Sequence, residues 1–179
     1  MEHYLVITAV GTDRPGISDE VTHLATQCGC NIIDSRIALF GHEFTLIMLL
    51  AGNANAISRV ESTLPLKAQE HELLTVMKRT SKHKARVYPY TADFHIEADD
   101  MPGLIGQYTS FLASRQIDIA SLSAHTNEAV ESDKTDRLFV QISTNIPEGC
   151  NLMTLQEEFQ ALCTDLLVTG TVNFIGHKQ

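Results

Sequence analysis

The chain has 179 residues, 44% of them hydrophobic, with 13 basic against 22 acidic side chains and a net charge of −9. That balance repels a phosphate backbone, and no run of 18 apolar residues is present to span a bilayer. The opening MEHYLVITAV lacks the basic region and small-residue cleavage site of a secretory leader, so the expected compartment is the cytoplasm. There, Cys28, Cys30, Cys150 and Cys163 are expected as reduced thiols rather than a disulfide scaffold.

HYLVITAV (3–10) reads as a strand, and GTDRPGI (11–17) follows it. Asp13 is a candidate helix cap, and Pro15 is expected in the first helical turn, where its missing N–H loses no partner. Gly16 leaves no side chain to block approach. The amides after it point outward, and the helix dipole favours an anion there. The segment is not a phosphate loop of the GxxxxGK[ST] kind, and it lacks the middle glycine of GxGxxG. Ile17, Val21, Leu24 and Cys28 then fall on one helical face, with Gly29 as the C′ glycine.

NIIDSRIAL (31–39) predicts a second strand. Two apolar runs, IALF and EFTLIMLL, flank Gly41-His42, a two-residue loop suited to a type II′ hairpin. A helix around Ile57, Val60 and Leu64 is expected to end near Pro65, with a strand at 71–78. The stretch KRTSKHKAR (78–86) then holds five of the 13 basic residues, leaving 8 against 22, or −14, elsewhere. It reads as a solvated basic linker at 81–90, stiffened by Pro89, between a first domain (1–80) and a second (91–179).

The second half repeats the first at an offset of 87. ADDMPGL (98–104) places Asp100, Pro102 and Gly103 where Asp13, Pro15 and Gly16 stand. Leu104, Tyr108, Phe111 and Arg115 take the helical positions, and DIASLSAHT (118–126) the next strand. A longer charged loop, NEAVESDKTD (127–136), precedes the strand RLFVQIST (137–144). A helix with Leu155, Phe159, Leu162 and Leu166 and the strand TVNFIG (171–176) complete the unit. Each half is thus βαββαβ. The fold class is α+β: two ferredoxin-like domains, with antiparallel sheets carrying helices on one face.

TADFHIEA (91–98) alternates apolar with polar residues, as a strand with one wet face does. HYLVITAV and FTLIMLL are apolar on both faces, which predicts a cover from domain packing or a homo-oligomer.

No GxSxG, HExxH or C-x₂-C motif is present, and no two histidines stand at i, i+4. Cys28-Gly-Cys30 lacks the further paired ligands of a tetrahedral metal site. No catalytic residue, metal or cofactor is assigned. Arg14 could clamp an acyl phosphate, as in acylphosphatases, but Met101 takes its place in the second half. The turns could hold a small carboxylate; read without a ligand, D-x-P-G is good helix-initiation chemistry, and an old duplication would copy that too. The candidate ligand-binding residues are Asp13, Arg14, Pro15, Gly16, Ile17 and Asn31 in the first half and Asp100, Gly103, Leu104 and Asp118 in the second. Asn31 and Asp118 open the strand after each helix.

A duplicated βαββαβ unit with a D-x-P-G turn after its first strand resembles a pair of ACT domains, which are amino-acid-sensing modules. HYLVITAVGTDRPGI, CGCNIIDSR, EFTLIMLL, ISRVESTLPLK and LLTVMKRT are similar to the glycine cleavage system transcriptional repressor family of gamma-proteobacteria. That likeness covers nearly all of residues 3–80. The second half resembles the family through its pattern and FQALCTDL (159–166), and departs from it in the linker and the 127–136 loop. The resemblance implies a regulator that binds no operator itself but restrains a LysR-type activator of the glycine cleavage genes, with glycine as the signal. The acidic balance and the missing helix-turn-helix pattern agree with this. The alternative is an ACT pair that regulates a metabolic enzyme.

Overall fold

The computed structural model describes residues 2–82, 88–127 and 136–177. The expected linker falls partly, and the expected 127–136 loop almost wholly, outside them. The chain divides into two compact units, Met1–Ala85 and Arg86–Gln179. The first runs β1 (His3–Thr12), α1 (Ile17–Gln27), β2 (Asn31–Phe40), β3 (Glu43–Gly52), α2 (Ala54–Glu70) and β4 (Leu74–Thr80). The second runs β5 (Tyr90–Asp99), α3 (Leu104–Ala113), β6 (Asp118–Asn127), β7 (Arg137–Ile146), α4 (Leu152–Asp165) and β8 (Thr169–Gly176). Their sheets have equivalent orders, β2-β3-β1-β4 and β6-β7-β5-β8, and every pairing is antiparallel. This is the ferredoxin-like plan expected from the repeat.

Alternation along the central strands decides which side is core. Leu5, Ile7 and Ala9 of β1 are buried with Leu46, Met48 and Leu50 of β3, under Val21, Leu24, Ile57 and Val60 of the helices. In the second unit Phe94 and Ile96 pack with Tyr108 and Phe159; the Phe94 and Phe159 rings meet edge-on at 5.0 Å. Gly41 has φ 63 while His42 is not at positive φ, as the predicted type II′ loop requires.

Pro65 does not end α2, which continues to Glu70. A proline inside a helix costs about 3 kcal/mol. The extra turn buries Ala68 behind Leu64 and lets its carbonyl accept from Leu73 N–H at 2.8 Å.

The four helices of the described residues close alike. Cys30, Leu73, Ile117 and Val168 each donate a main-chain bond five residues back, to Ala25, Ala68, Leu112 and Cys163. The residue just before each donor, Gly29, Glu72, Gln116 or Leu167, has positive φ. This is the Schellman closure, with glycine in one of its four copies.

Candidate functional site

The two duplicated turns are built by the ends of their sheets. β1 pairs with β3 as far as Thr12 opposite Glu43. One more rung forms when Asp13 N–H donates to His42 C=O at 3.0 Å. Pro15 has no N–H to continue the ladder. The chain reverses instead through Arg14-Pro15-Gly16-Ile17, with Ile17 N–H donating to Arg14 C=O at 3.2 Å. Gly16 has φ 91 and ψ −8. Proline second and a positive-φ glycine third are the signature of a type II turn. The second unit repeats this: Asp100 N–H to Asp136 C=O at 2.9 Å, Leu104 N–H to Met101 C=O at 3.5 Å, Gly103 at φ 89.

Two expectations change here. The residue capping α1 is Gly16, with no side-chain cap bond, so Asp13 is not the cap. Pro15 lies in the turn ahead of the helix, because the type II turn occupies the place where a helical first turn was expected.

The helical ladders begin with Glu20 N–H to Gly16 C=O and Gln107 N–H to Gly103 C=O, both 3.1 Å. The amides of Ser18 and Asp19, and of Ile105 and Gly106, therefore stand ahead of those ladders at helix N-termini. A side chain at Gly16 or Gly103 would meet nothing within 4 Å, so both turns open outward. Their electrostatics differ. Asp19 and Glu20 sit in the first turn of α1, whereas α3 has no acidic residue there. An anion at the first turn thus meets two carboxylates, and Arg14 offsets one of them.

Arg14 belongs to a closed ring. Its Nη2 lies 2.9 Å from Glu20 Oε2 and 2.7 Å from His71 Nδ1, and His71 Nε2 lies 2.9 Å from the same Glu20 oxygen. A guanidinium only donates, so Nδ1 accepts and Nε2–H donates to the carboxylate. The ring ties the turn to the C-terminal end of α2. With Met101 in its place, the second turn has no such ring.

Beside the second turn is a cavity of about 380 Å³. Asp100, Met101, Gly103 and Leu104 line it with His125 and Thr126 of β6. Thr126 Oγ1 donates to Asp100 Oδ2 at 3.4 Å, and the His125 ring stacks on Phe139 at 5.4 Å. Asp100, Gly103 and Leu104 are thus brought together, as are Asp13, Arg14, Pro15, Gly16 and Ile17.

Asn31 and Asp118 are not brought to these turns within their own units. Asn31 pairs with Ala51, which faces Tyr4, eight residues from Thr12 on β1. Asp118 pairs with Asn145, which faces Thr91, at the corresponding end of the second sheet. At about 3.4 Å per residue, each lies roughly 27 Å from its own turn. Asp118 also accepts from Tyr88 Oη at 2.8 Å.

Glu20, His71, His125 and Thr126 join the turns without having been singled out from sequence. Glu20 carried a faint signal, an acid in a first helical turn. His71 lies 57 residues from Arg14 and carried none.

Among the described residues no group of three or more His, Cys, Asp or Glu side chains could hold a metal ion. The four cysteines are free thiols. Burial pushes the Cys30, Cys150 and Cys163 thiols up, away from the reactive thiolate. No described helix is long and apolar enough to cross a membrane.

Residues 3–78 match the family model of the ACT domain. The chain is 42% identical over 99% of its length, and 93% of the relative, to the glycine cleavage system transcriptional repressor of Escherichia coli K12. The same figures hold for the protein of that name in Shigella flexneri. A crystallised protein assigned as a glycine cleavage system transcriptional repressor is 55% identical, with a TM-score of 0.74 and 99% of both chains covered. A Galdieria sulphuraria protein of unknown function superposes with a TM-score of 0.77 at 19% identity over 98% of this chain and 99% of its own, which shows a shared fold.

Proposed function

The chain belongs to the glycine cleavage system transcriptional repressor family, and from that premise we propose that it is an amino-acid-responsive repressor that acts on a LysR-type activator of the glycine cleavage genes rather than on operator DNA, with glycine as its signal. The observation that carries this reading is a relationship to the named repressors that runs through both units. The net charge of −9 supports a protein partner over a nucleic acid.

Glycine offers a carboxylate, an ammonium and almost no apolar surface. In this reading its carboxylate binds the amides of Ser18 and Asp19, or of Ile105 and Gly106, and its ammonium pairs with Asp13 or Asp100. Arg14 supplies the positive charge that the first turn needs beside Glu20. Asn31 and Asp118, at the far ends of their own sheets, take no part in either turn's binding of glycine in this reading.

The test is calorimetric titration of the full chain with glycine, alanine and serine, alongside Asp13→Ala and Asp100→Ala. At both positions the bond that ends the sheet is made by the main chain; Asp100→Ala also loses the 3.4 Å bond from Thr126 Oγ1, so its folding is checked by circular dichroism. Gly16→Val is not used, since a branched residue at φ 91 would strain the turn as well as fill it. Glycine binding that both aspartate variants weaken supports the reading. Unchanged binding in both removes the turns from the site. In parallel, a promoter fragment should be shifted by the activator and this chain together, and not by this chain alone. A sequence-specific shift by this chain alone overturns the proposed mode of action.

A further inference from the structure

The two units share one topology, so each residue around Gly103 has a counterpart around Gly16. The first turn of α3, Leu104-Ile105-Gly106-Gln107, answers to Ile17-Ser18-Asp19-Glu20 of α1. Gly106 is exposed, and a Cβ built on it would meet nothing within 4 Å. Its φ is not positive. Glycine weakens a helix relative to other residues, and α1 carries an aspartate at the same place. Neither packing nor backbone geometry therefore accounts for the missing side chain. The other differences run the same way. Arg14 is replaced by Met101, Glu20 by Gln107, Ile37 by Ala124 and Leu39 by Thr126. Ala124 and Thr126, level with the buried Val140 and Leu138, line the cavity of about 380 Å³ beside the second turn. Ile37 and Leu39, level with the buried Leu46 and Phe44, put larger apolar side chains at the corresponding points, 50% and 60% exposed. Thr126 also offers a hydroxyl to Asp100, which Leu39 cannot offer to Asp13.

We infer that the two turns have become unequal: each chain takes one free amino acid, in the cavity of the second unit, and the first turn is closed by its own side chains. This rests on the amino-acid-responsive reading above and says which of the two turns responds. In the second unit the ligand carboxylate lies against the amides of Ile105 and Gly106. A side chain at 106 would stand beside it, and an acidic one would repel it. The ligand ammonium pairs with Asp100. Thr126 is a positioning residue: its hydroxyl holds Asp100 Oδ2 at 3.4 Å and leaves the other carboxylate oxygen to the ligand. In the first unit the cation that an incoming carboxylate needs is already engaged, because Arg14 is bound to Glu20 and His71. Asp19 and Glu20 add two negative charges at the same helix end. All the residues lining the cavity come from the second unit, and all three members of the ring come from the first.

The test is calorimetric titration of the full chain with glycine, paired with urea unfolding of each variant. The wild type is expected to bind one glycine per chain. Gly106→Asp separates ligand from fold by sign. It should raise the unfolding midpoint, because it removes a helical glycine and puts an acid at a helix N-terminus. It should nevertheless weaken glycine by about tenfold or more through like charge. A position that mattered only to the fold would move both readouts the same way. Thr126→Val keeps the shape and removes the hydroxyl, so it should weaken glycine by about three- to tenfold, and Thr126→Ser should recover the loss. This pair carries the test if Gly106→Asp misfolds. Leu39→Glu, beside the first turn, should leave affinity and stoichiometry as in the wild type. Two glycines per chain overturn the inference, as does a folded Gly106→Asp that binds as tightly as the wild type. Weakening by Leu39→Glu, or equal affinities for Thr126→Val and Thr126→Ser, also overturns it. A wild type that binds no glycine overturns the underlying reading instead, and this inference with it.

Discussion

The main-chain amide of Asp13 donates to the carbonyl of His42 at 3.0 Å, and its counterpart at Asp100 reaches Asp136 at 2.9 Å. Each bond is the last rung of its sheet, and each turn is launched from it. The turn's shape is therefore fixed by the hairpin it leans on and by its own Pro-Gly pair, and neither aspartate side chain caps the helix that follows.

Gly16→Ala and Gly103→Ala should each destabilise the protein by about 1–2 kcal/mol, the cost of a Cβ in the left-handed region. No clash adds to this, because the new carbon meets nothing within 4 Å. Urea unfolding measures the loss. A neutral result would mean that the turn relaxes freely when the glycine is replaced.

Leu167 is 93% exposed with φ 56, so it gives up almost no burial and bears the strain of closing α4. Leu167→Gly should stabilise the protein by about 0.5–1 kcal/mol, visible as a higher midpoint in thermal unfolding. Gly29, which closes α1, already shows the solution.

Arg79 holds Glu61 through two hydrogen bonds of 2.7 Å, and they keep the Glu61 carboxyl below its ordinary value. A carboxylate whose value is lowered on folding stabilises the fold above its unfolded value of about 4.3 and loses that contribution as pH falls through the folded one. Glu61→Gln should therefore flatten the stability profile between neutral pH and the acid limb. The pair is near the surface, so the effect is about 1 kcal/mol or less. Parallel unfolding curves for both proteins down through the carboxylate range would show that the pair contributes nothing.

We propose residues 81–90 as the linker between two separately folding domains. Brief proteolysis with trypsin should cut there first, since Lys82, Lys84 and Arg86 lie within it. Two fragments that remain folded are expected. Early cleavage at Arg36, inside the β2–β3 pairing, would contradict the division.

The repeat carried most of what could be read in advance. Strand alternation, the apolar helical faces and the Asp-x-Pro-Gly pairs are local, and each appears twice, so the two βαββαβ units were legible before any coordinates. What was not legible is set by distant contacts. Burial of Ala68 overrides Pro65, and alanine is too weak an apolar marker to announce it. The strained helix ends at Glu72 and Leu167 follow from chain closure, not from residue preference. Asn31 opens the strand after α1, which sequence distance makes look near the turn. The crossover through α1 carries the chain back to the end where β1 began, so that β2 runs parallel to β1 and Asn31 lies at the far end of the sheet from the turn.

Covalent duplication let the two outer sheet faces diverge. Val6, Val10, Ile47 and Val76 on the first stand where the second has Asp93, Glu97, Gln141 and Thr171. Two identical units made from one sequence would have to carry the same side chains on both faces. Two linked copies are each free to change that face alone, so a substitution tolerated on one sheet says nothing about its counterpart on the other.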